Sequence, residues 1–123
     1  VPGSSDYFML SAVTYANQAK SNILGVASGI LDRHGAVSEE TASEMARGVQ
    51  RISGATYGLA TSGIAGPGGA AGGKPVGTVC IGLAGRDSVS TRRYHFRFDN
   101  RRMNKRIFAA TALELLRREL LAT

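Results

Sequence analysis

Between Ala60 and Val79 the chain reads ATSGIAGPGGAAGGKPVGTV, with seven glycines in twenty residues. Both ends of this stretch have strand character, so the fold has to accommodate a strand, a long glycine-rich connection and a second strand. Glycine lacks a Cβ and tolerates positive φ, which lets main chain come close to a ligand. The backbone N–H groups of such a loop can form an anion-binding nest, although a plain connector has the same composition. Neither GxGxxG nor GxxxxGK[ST] occurs in it. The loop also joins strand to strand rather than strand to helix, so neither dinucleotide nor P-loop chemistry is indicated.

The elements around this loop follow from pattern. Phe8 to Tyr15 alternates in side-chain character as a strand does. Asn17 is placed to cap a short helix through Lys20 to about Leu24, closed by Gly25, and a second short helix covers Ala27 to Arg33. Ser38, followed by Glu39 and Glu40, starts a clear amphipathic helix whose apolar face is Ala42, Met45, Ala46, Val49 and Ile52, ended by Gly54. Tyr57–Ser62 reads as a strand. Val76–Ala84 is apolar throughout, as in a strand buried on both faces. Val89–Phe98 is its hairpin partner across Gly85-Arg86-Asp87. Asp99 or Asn100 then caps a last helix, Arg101–Leu121, with Met103, Ile107, Ala110, Leu113, Leu116 and Leu120 as its buried stripe. Strands separated by helices imply parallel pairing and the hairpin adds an antiparallel part. The expected architecture is a three-layer α/β/α sandwich with a mixed sheet.

The chain has 123 residues, 43 % of them apolar and 20 % charged, which suits one domain with one core. No apolar run approaches the roughly 20 residues of a membrane-spanning helix. The single cysteine, Cys80, allows no intrachain disulfide; it reads as a small core residue, and a cytoplasmic setting is expected. The formal charge is +6, and Arg86 to Arg106 holds eight basic residues against two acidic ones, which equals the whole excess. A basic zone can meet phosphate, nucleic acid or an acidic surface. No nucleic-acid motif accompanies it, so a nucleic-acid partner is not expected.

Three groups of residues could carry chemistry. Ser62, ahead of Gly63, resembles an exposed nucleophile, with no acid–base partner fixed by spacing. Lys20 follows Tyr15 and Asn17 on a short helix, and a desolvated lysine can act as a general base toward a hydroxyl. In Phe98–Arg106, FDNRRMNKR, arginines at a helix N-terminus oppose the macrodipole. A bound phosphate would reverse that penalty. His34 and His95 have no acidic residue at ligand spacing, so no metal is expected.

VTYANQAKSNILGV (Val13–Val26), HGAVSEETASEMARG (His34–Gly48), ATSGIAGPGG (Ala60–Gly69), KPVGTV (Lys74–Val79) and FDNRRMNKR together resemble the C-terminal domain of competence-damage-inducible protein CinA, a family that includes stand-alone nicotinamide-nucleotide amidases. The resemblance spans nearly the whole chain, residues 1–123, as one domain. It implies an α/β/α sandwich that commonly forms homo-oligomers, and a metal-free, cofactor-free amidohydrolase converting nicotinamide mononucleotide and water to nicotinic acid mononucleotide and ammonia. By motif, Lys20 matches the family's base and Tyr15 its assisting tyrosine. Asn17 and the loop residues Ser62, Gly63, Ala65, Gly66, Pro67 and Gly68 would bind substrate, with Arg101 and Asn104 at a phosphate clamp. Loop N–H groups would stabilise the oxyanion. The family's nucleophilic serine belongs to an Ala-Glu-Ser-Cys-Thr-Gly-Gly motif that this sequence does not contain. The expectation is therefore a domain incomplete at its N-terminus, short of a strand, a helix and the serine. A catalytically silent nucleotide- or partner-binding domain is the alternative.

Overall fold

The computed structural model describes every residue except Ala71. Among the described residues, a short 3-10 turn at Ser4–Asp6 precedes α1 (Asn17–Leu24), α2 (Ser28–His34), α3 (Glu39–Ser53), β1 (Gly58–Gly63), β2 (Thr78–Ala84), β3 (Val89–His95) and α4 (Arg101–Ala122). The strands form one sheet in the order β1-β2-β3, antiparallel throughout, with Ser62 opposite Cys80 and Ile81 opposite Arg92.

Strand β2 is buried at every position, and its alternating side chains divide the core in two. On one face Ala84 joins Ala60 of β1 and packs with Leu24, Val26, Leu31, Met45 and Ala46 of the α1–α3 region. On the other, Val79 and Ile81 pack with Phe108 and Ala112 of α4, flanked by Leu59, Tyr94 and Phe96. Helices thus cover both faces of the sheet, giving the layered α/β fold the sequence indicates.

The parallel part of the expected sheet is not present among the described residues. It depended on Phe8–Tyr15, which takes no regular secondary structure. Phe8, Met9, Leu10, Val13 and Tyr15 are all exposed. Alternation sets which side chains share a face, but a strand needs a neighbour for its N–H and C=O groups, and this segment has no ladder partner among the described residues. The hairpin is where the sequence puts it, with Gly85 N–H donating to Ser88 O at 2.8 Å, although β3 ends at His95 rather than Phe98.

Side-chain capping starts two of the four described α-helices. Ser38 Oγ accepts from Thr41 N–H at 3.1 Å at the start of α3, and Asn100 Oδ1 accepts from Met103 N–H at 3.1 Å at the start of α4. Asn17 does not cap α1: it is the first helical residue, and Ala16 holds the cap position without a side-chain bond. Helix α1 is closed by Gly25 in the left-handed region, φ 72°, with Gly25 N–H donating to Ser21 O at 3.0 Å, an αL closure, and Val26 N–H reaching back to Lys20 O at 3.1 Å.

The face that α4 buries also differs from expectation. Asn104, Phe108 and Ala112 are the buried positions, whereas Met103, Leu113 and Leu120 are exposed. Leucines are spread around this helix, and the face it turns inward is chosen by fit to the sheet. A Cβ at Gly63 would sit 2.6 Å from Phe108 Cε2, so Phe108 rests directly on β1 main chain.

Helix α3 lies equally close on the opposite side. A Cβ at Gly82 would collide with the Ala42 carbonyl, whereas one at Gly68 would meet nothing within 4 Å. Gly82→Ala is therefore expected to force α3 off the sheet and cost about 1–3 kcal/mol. Gly68→Ala should change stability by less than about 1 kcal/mol. Denaturant titration of the two variants measures both effects, and equal midpoints would refute the close packing of α3.

Candidate active site

Lys20 lies on the inner side of α1, one turn before Leu24, and both are buried. The helix is seated by its C-terminal carbonyl, since a Cβ at Gly48 of α3 would collide with Leu24 O. Arg51 Nη2 also donates to that oxygen at 3.4 Å. Seated in this way, α1 brings the lysine under the preceding segment. Its Nζ donates to Thr14 O at 2.6 Å and, more weakly, to Tyr15 O at 3.5 Å. Lys20 is 6 % exposed, and among the described residues no carboxylate pairs with it. Burial lowers its pKa from the ordinary lysine value, because the ammonium loses solvation without gaining a counter-charge. The Tyr15 side chain is exposed, as is Asn17.

The loop residues gather against the start of α4. Arg101 Nη1 donates to Gly66 O at 2.9 Å, and Asn104 Nδ2 donates to Ala65 O and Phe98 O, each at 3.0 Å. Asn104 is fully buried. Both of its amide hydrogens are engaged by protein carbonyls, which leaves it no donor for the phosphate role given to it from the motif. Arg101 is exposed and uses one edge of its guanidinium on Gly66, so other N–H groups stay available. Ser62 is buried, and its Oγ donates to Ala36 O at 2.6 Å. That bond ties β1 to the loop before α3 and commits the hydroxyl proton, which does not suit an exposed nucleophile. Gly66 and Pro67 are joined by a cis peptide bond.

Lys20, Tyr15 and Asn17 thus form one group and the loop with Arg101 and Asn104 another. No hydrogen bond joins the two among the described residues. A cleft of about 610 Å³ opens elsewhere, between the segment before α3, the later part of the loop and β3. Its lining includes His34, Glu40, Ile64, Lys74 and Arg93. There Lys74 Nζ donates to His34 O at 3.0 Å, and His34 Nδ1 lies 3.4 Å from Glu40 Oε2. Sequence reasoning gave Lys74 no role. Its one signal was a lone cation inside a glycine-rich segment, and the structure uses it to hold the loop to the end of α2. The basic residues from Arg86 to Arg106 make no ion pair among the described residues. None of the described helices is long and apolar enough to cross a membrane.

Sequence comparison assigns the domain. A family profile described as "CinA C-terminal domain" matches residues 1–120. The chain belongs to the CinA C-terminal domain family. It is 66 % identical over 121 residues to a CinA-like protein of Desulfosudis oleivorans and 53 % identical over 122 residues to one of Geobacter metallireducens, matching 98 % and 99 % of this chain. The chain spans about 29 % of the length of each of these relatives. Among solved structures it resembles the competence/damage inducible protein CihA of Agrobacterium tumefaciens, with TM-score 0.80, 40 % identity, and coverage of 85 % of this chain and 64 % of that one. A CinA superfamily protein of Enterobacter cloacae aligns with TM-score 0.85 and 32 % identity, over 95 % of this chain and 69 % of that one.

The buried lysine of this CinA domain makes stability depend on pH with a definite sign. Its folded pKa lies below the unfolded value, so between the two the unfolded chain binds more protons and stability rises with pH. The penalty for burying the charge is full below the folded pKa and fades as pH climbs toward the ordinary lysine value of about 10.4. Lys20→Met removes that charge. The variant should be at least as stable as the parent at pH 7, and its advantage should shrink as pH approaches 10. Melting temperatures of both proteins across pH 7–10 test this, and an advantage that grows with pH would refute it.

Proposed function

We propose that the full-length protein is a nicotinamide-nucleotide amidase, hydrolysing nicotinamide mononucleotide to nicotinic acid mononucleotide and ammonia, and that this CinA domain supplies its base and its substrate loop. The observation that carries the reading is Lys20: buried, without a carboxylate partner among the described residues, and lowered in pKa by burial. A lysine in that state holds more neutral amine near neutral pH than a solvated one and can accept a hydroxyl proton.

The chemistry is acyl transfer. Lys20 takes the proton of a serine hydroxyl as its oxygen adds to the carboxamide carbon. The tetrahedral oxyanion is stabilised by loop N–H groups. Lys20 returns the proton to the departing nitrogen, and ammonia leaves. Water then adds to the acyl-serine with Lys20 again as base, releasing the acid. Tyr15 assists, Asn17 and the loop residues Ser62, Gly63, Ala65, Gly66, Pro67 and Gly68 contact the nucleotide, and the free guanidinium edge of Arg101 takes its phosphate. Asn104 belongs to the same end of the site, through the loop. The serine is that of the family's Ala-Glu-Ser-Cys-Thr-Gly-Gly motif, which residues 1–123 do not contain, so the activity is proposed for the full-length protein. It is a cytoplasmic homo-oligomer in this reading.

Replacing Lys20 by Ala in the full-length protein should lower ammonia release from nicotinamide mononucleotide by at least about a hundredfold while the protein stays folded. Unchanged turnover would remove Lys20 from the mechanism. One observation favours a second reading, a silent nucleotide- or partner-binding domain: the serine this chain does offer in the loop, Ser62, is committed to Ala36 O. Calorimetric titration with the same nucleotide separates the two readings, since binding without ammonia production supports the silent domain.

A further inference from the structure

The two carbonyls of the glycine-rich loop held by α4 are consecutive. Asn104 Nδ2 takes Ala65 O at 3.0 Å and Arg101 Nη1 takes Gly66 O at 2.9 Å. Asn104 is positioned so that only its nitrogen can face them: turning its amide over would set Oδ1 against the carbonyls of Ala65 and Phe98 together. Oδ1 has no hydrogen-bond partner among the described residues, so this side chain is held by its donors alone.

A peptide group is planar, and in the trans form its N–H points opposite to its C=O. Among the described residues the cis bond is Gly66–Pro67, and the Ala65–Gly66 peptide is trans. Holding Ala65 O toward α4 therefore turns the Gly66 N–H away from α4. Pro67, the next residue, has no N–H. Gly66 is a buried residue, and its N–H meets no acceptor among the described residues. Buried main-chain N–H groups are rarely left unpaired. Gly66 itself cannot be replaced freely: φ is +89°, and a Cβ would sit 2.6 Å from Val76 Cγ1.

We infer that the first turn of α4 is an aiming device for the loop, with Asn104 the positioning residue that presents the Gly66 N–H as a donor to a ligand oxygen. The chemical purpose rests on the amidase reading, in which that oxygen is the carboxamide oxygen as it becomes an oxyanion. Asn104 itself touches no substrate. It acts through the orientation of one peptide plane, and Arg101 steadies the next.

Two measurements on the full-length, ¹⁵N-labelled protein test this. Asn104→Leu removes both donors and keeps the branched outline of the side chain, at a larger volume. Arg101→Met frees Gly66 O from an exposed position and should leave the fold intact. Each should move the Gly66 amide resonance while melting remains cooperative. If Asn104→Leu does not fold, the Arg101→Met spectrum decides, and an unmoved Gly66 amide in a folded variant overturns the inference. For turnover, Asn104→Leu should lower kcat for nicotinamide mononucleotide by about ten- to a hundredfold, a little less than the loss of an oxyanion donor itself. KM should stay within about twofold of the parent, because the lost contact would act in the transition state. A raised KM at unchanged kcat would overturn the oxyanion role. If the parent releases no ammonia from this nucleotide, the amidase reading fails, and the amide spectra decide the aiming role on their own.

Discussion

Helix α3 meets its neighbours through main chain. Cβ atoms at Gly58 and Gly82 would collide with the carbonyls of Ala46 and Ala42, and one at Gly48 would collide with Leu24 O. The first two contacts set the helix on the sheet at a distance that ordinary side chains would not allow. The third sets α1 on α3. Close-packed interiors yield little when a single methyl group is added, so these three glycines fix the separations of three layers of structure. The position of Lys20 depends on them: α1 is seated by Leu24 O, and Lys20 lies one turn earlier on the same buried side, where Thr14 O waits for its ammonium. A lysine on a freely moving helix would swing to solvent and keep its ordinary pKa.

The two faces of β2 share the work unequally. On the α3 face the strands present backbone and small side chains to Leu24, Leu31 and Met45, with Cys80 fully buried in β2 and its thiol pKa raised by desolvation. The α4 face uses rings: Phe96 lies 5.8 Å from Tyr94 and 6.3 Å from Phe108, centroid to centroid. Phe108 in turn rests on Gly63, the last residue of β1 and the entrance to the glycine-rich loop. The loop is thereby gripped at its start by packing and, two and three residues later, by the Asn104 and Arg101 hydrogen bonds. Its far end is held as well, with Gly77 N–H donating to Ile64 O at 2.7 Å and Lys74 reaching His34 O. A segment with seven glycines loses much conformational freedom on ordering. These clamps show where that loss is offset.

What the sequence made legible was local. The Ser38 cap and the first turns of α3, the closure of α1 at Gly25, the largely apolar β2 and the turn at Gly85 each follow from a few neighbouring residues. What was not legible depended on partners. Phe8–Tyr15 has a strand's alternation, but pairing is a property of two segments, and alternation in one cannot supply the other. Helix α4 misleads for a different reason. Its buried face carries Asn104 and Ala112 around Phe108, while Leu113 and Leu120 are exposed, because contact with the sheet favours fit and hydrogen bonding over hydrophobicity. Lys20 was singled out by motif, but its burial was not legible. Ser62 looked like an exposed nucleophile only while its alternation in β1, which turns it toward Ala36, was unknown.

Asn104 shows how a motif can name a residue and leave its role unstated. A basic strand-to-helix corner suggests phosphate, and Arg101 keeps guanidinium donors that suit one. Three residues on, the same helical face turns inward, since positions i and i+3 lie on adjacent parts of a helix surface. There the asparagine is shut off from solvent and bonds the loop instead. A single turn of α4 therefore divides two tasks between neighbours, an exposed cation at the rim and a buried amide behind it. Between them they hold two consecutive loop carbonyls, Gly66 O by Arg101 and Ala65 O by Asn104, so contact at the rim and the orientation of the peptide planes at Gly66 are mechanically linked. A phosphate drawing Arg101 away from Gly66 O would leave Asn104 as the remaining hydrogen bond from α4 to this part of the loop, which is a physical reason for burying that amide rather than leaving it at the surface.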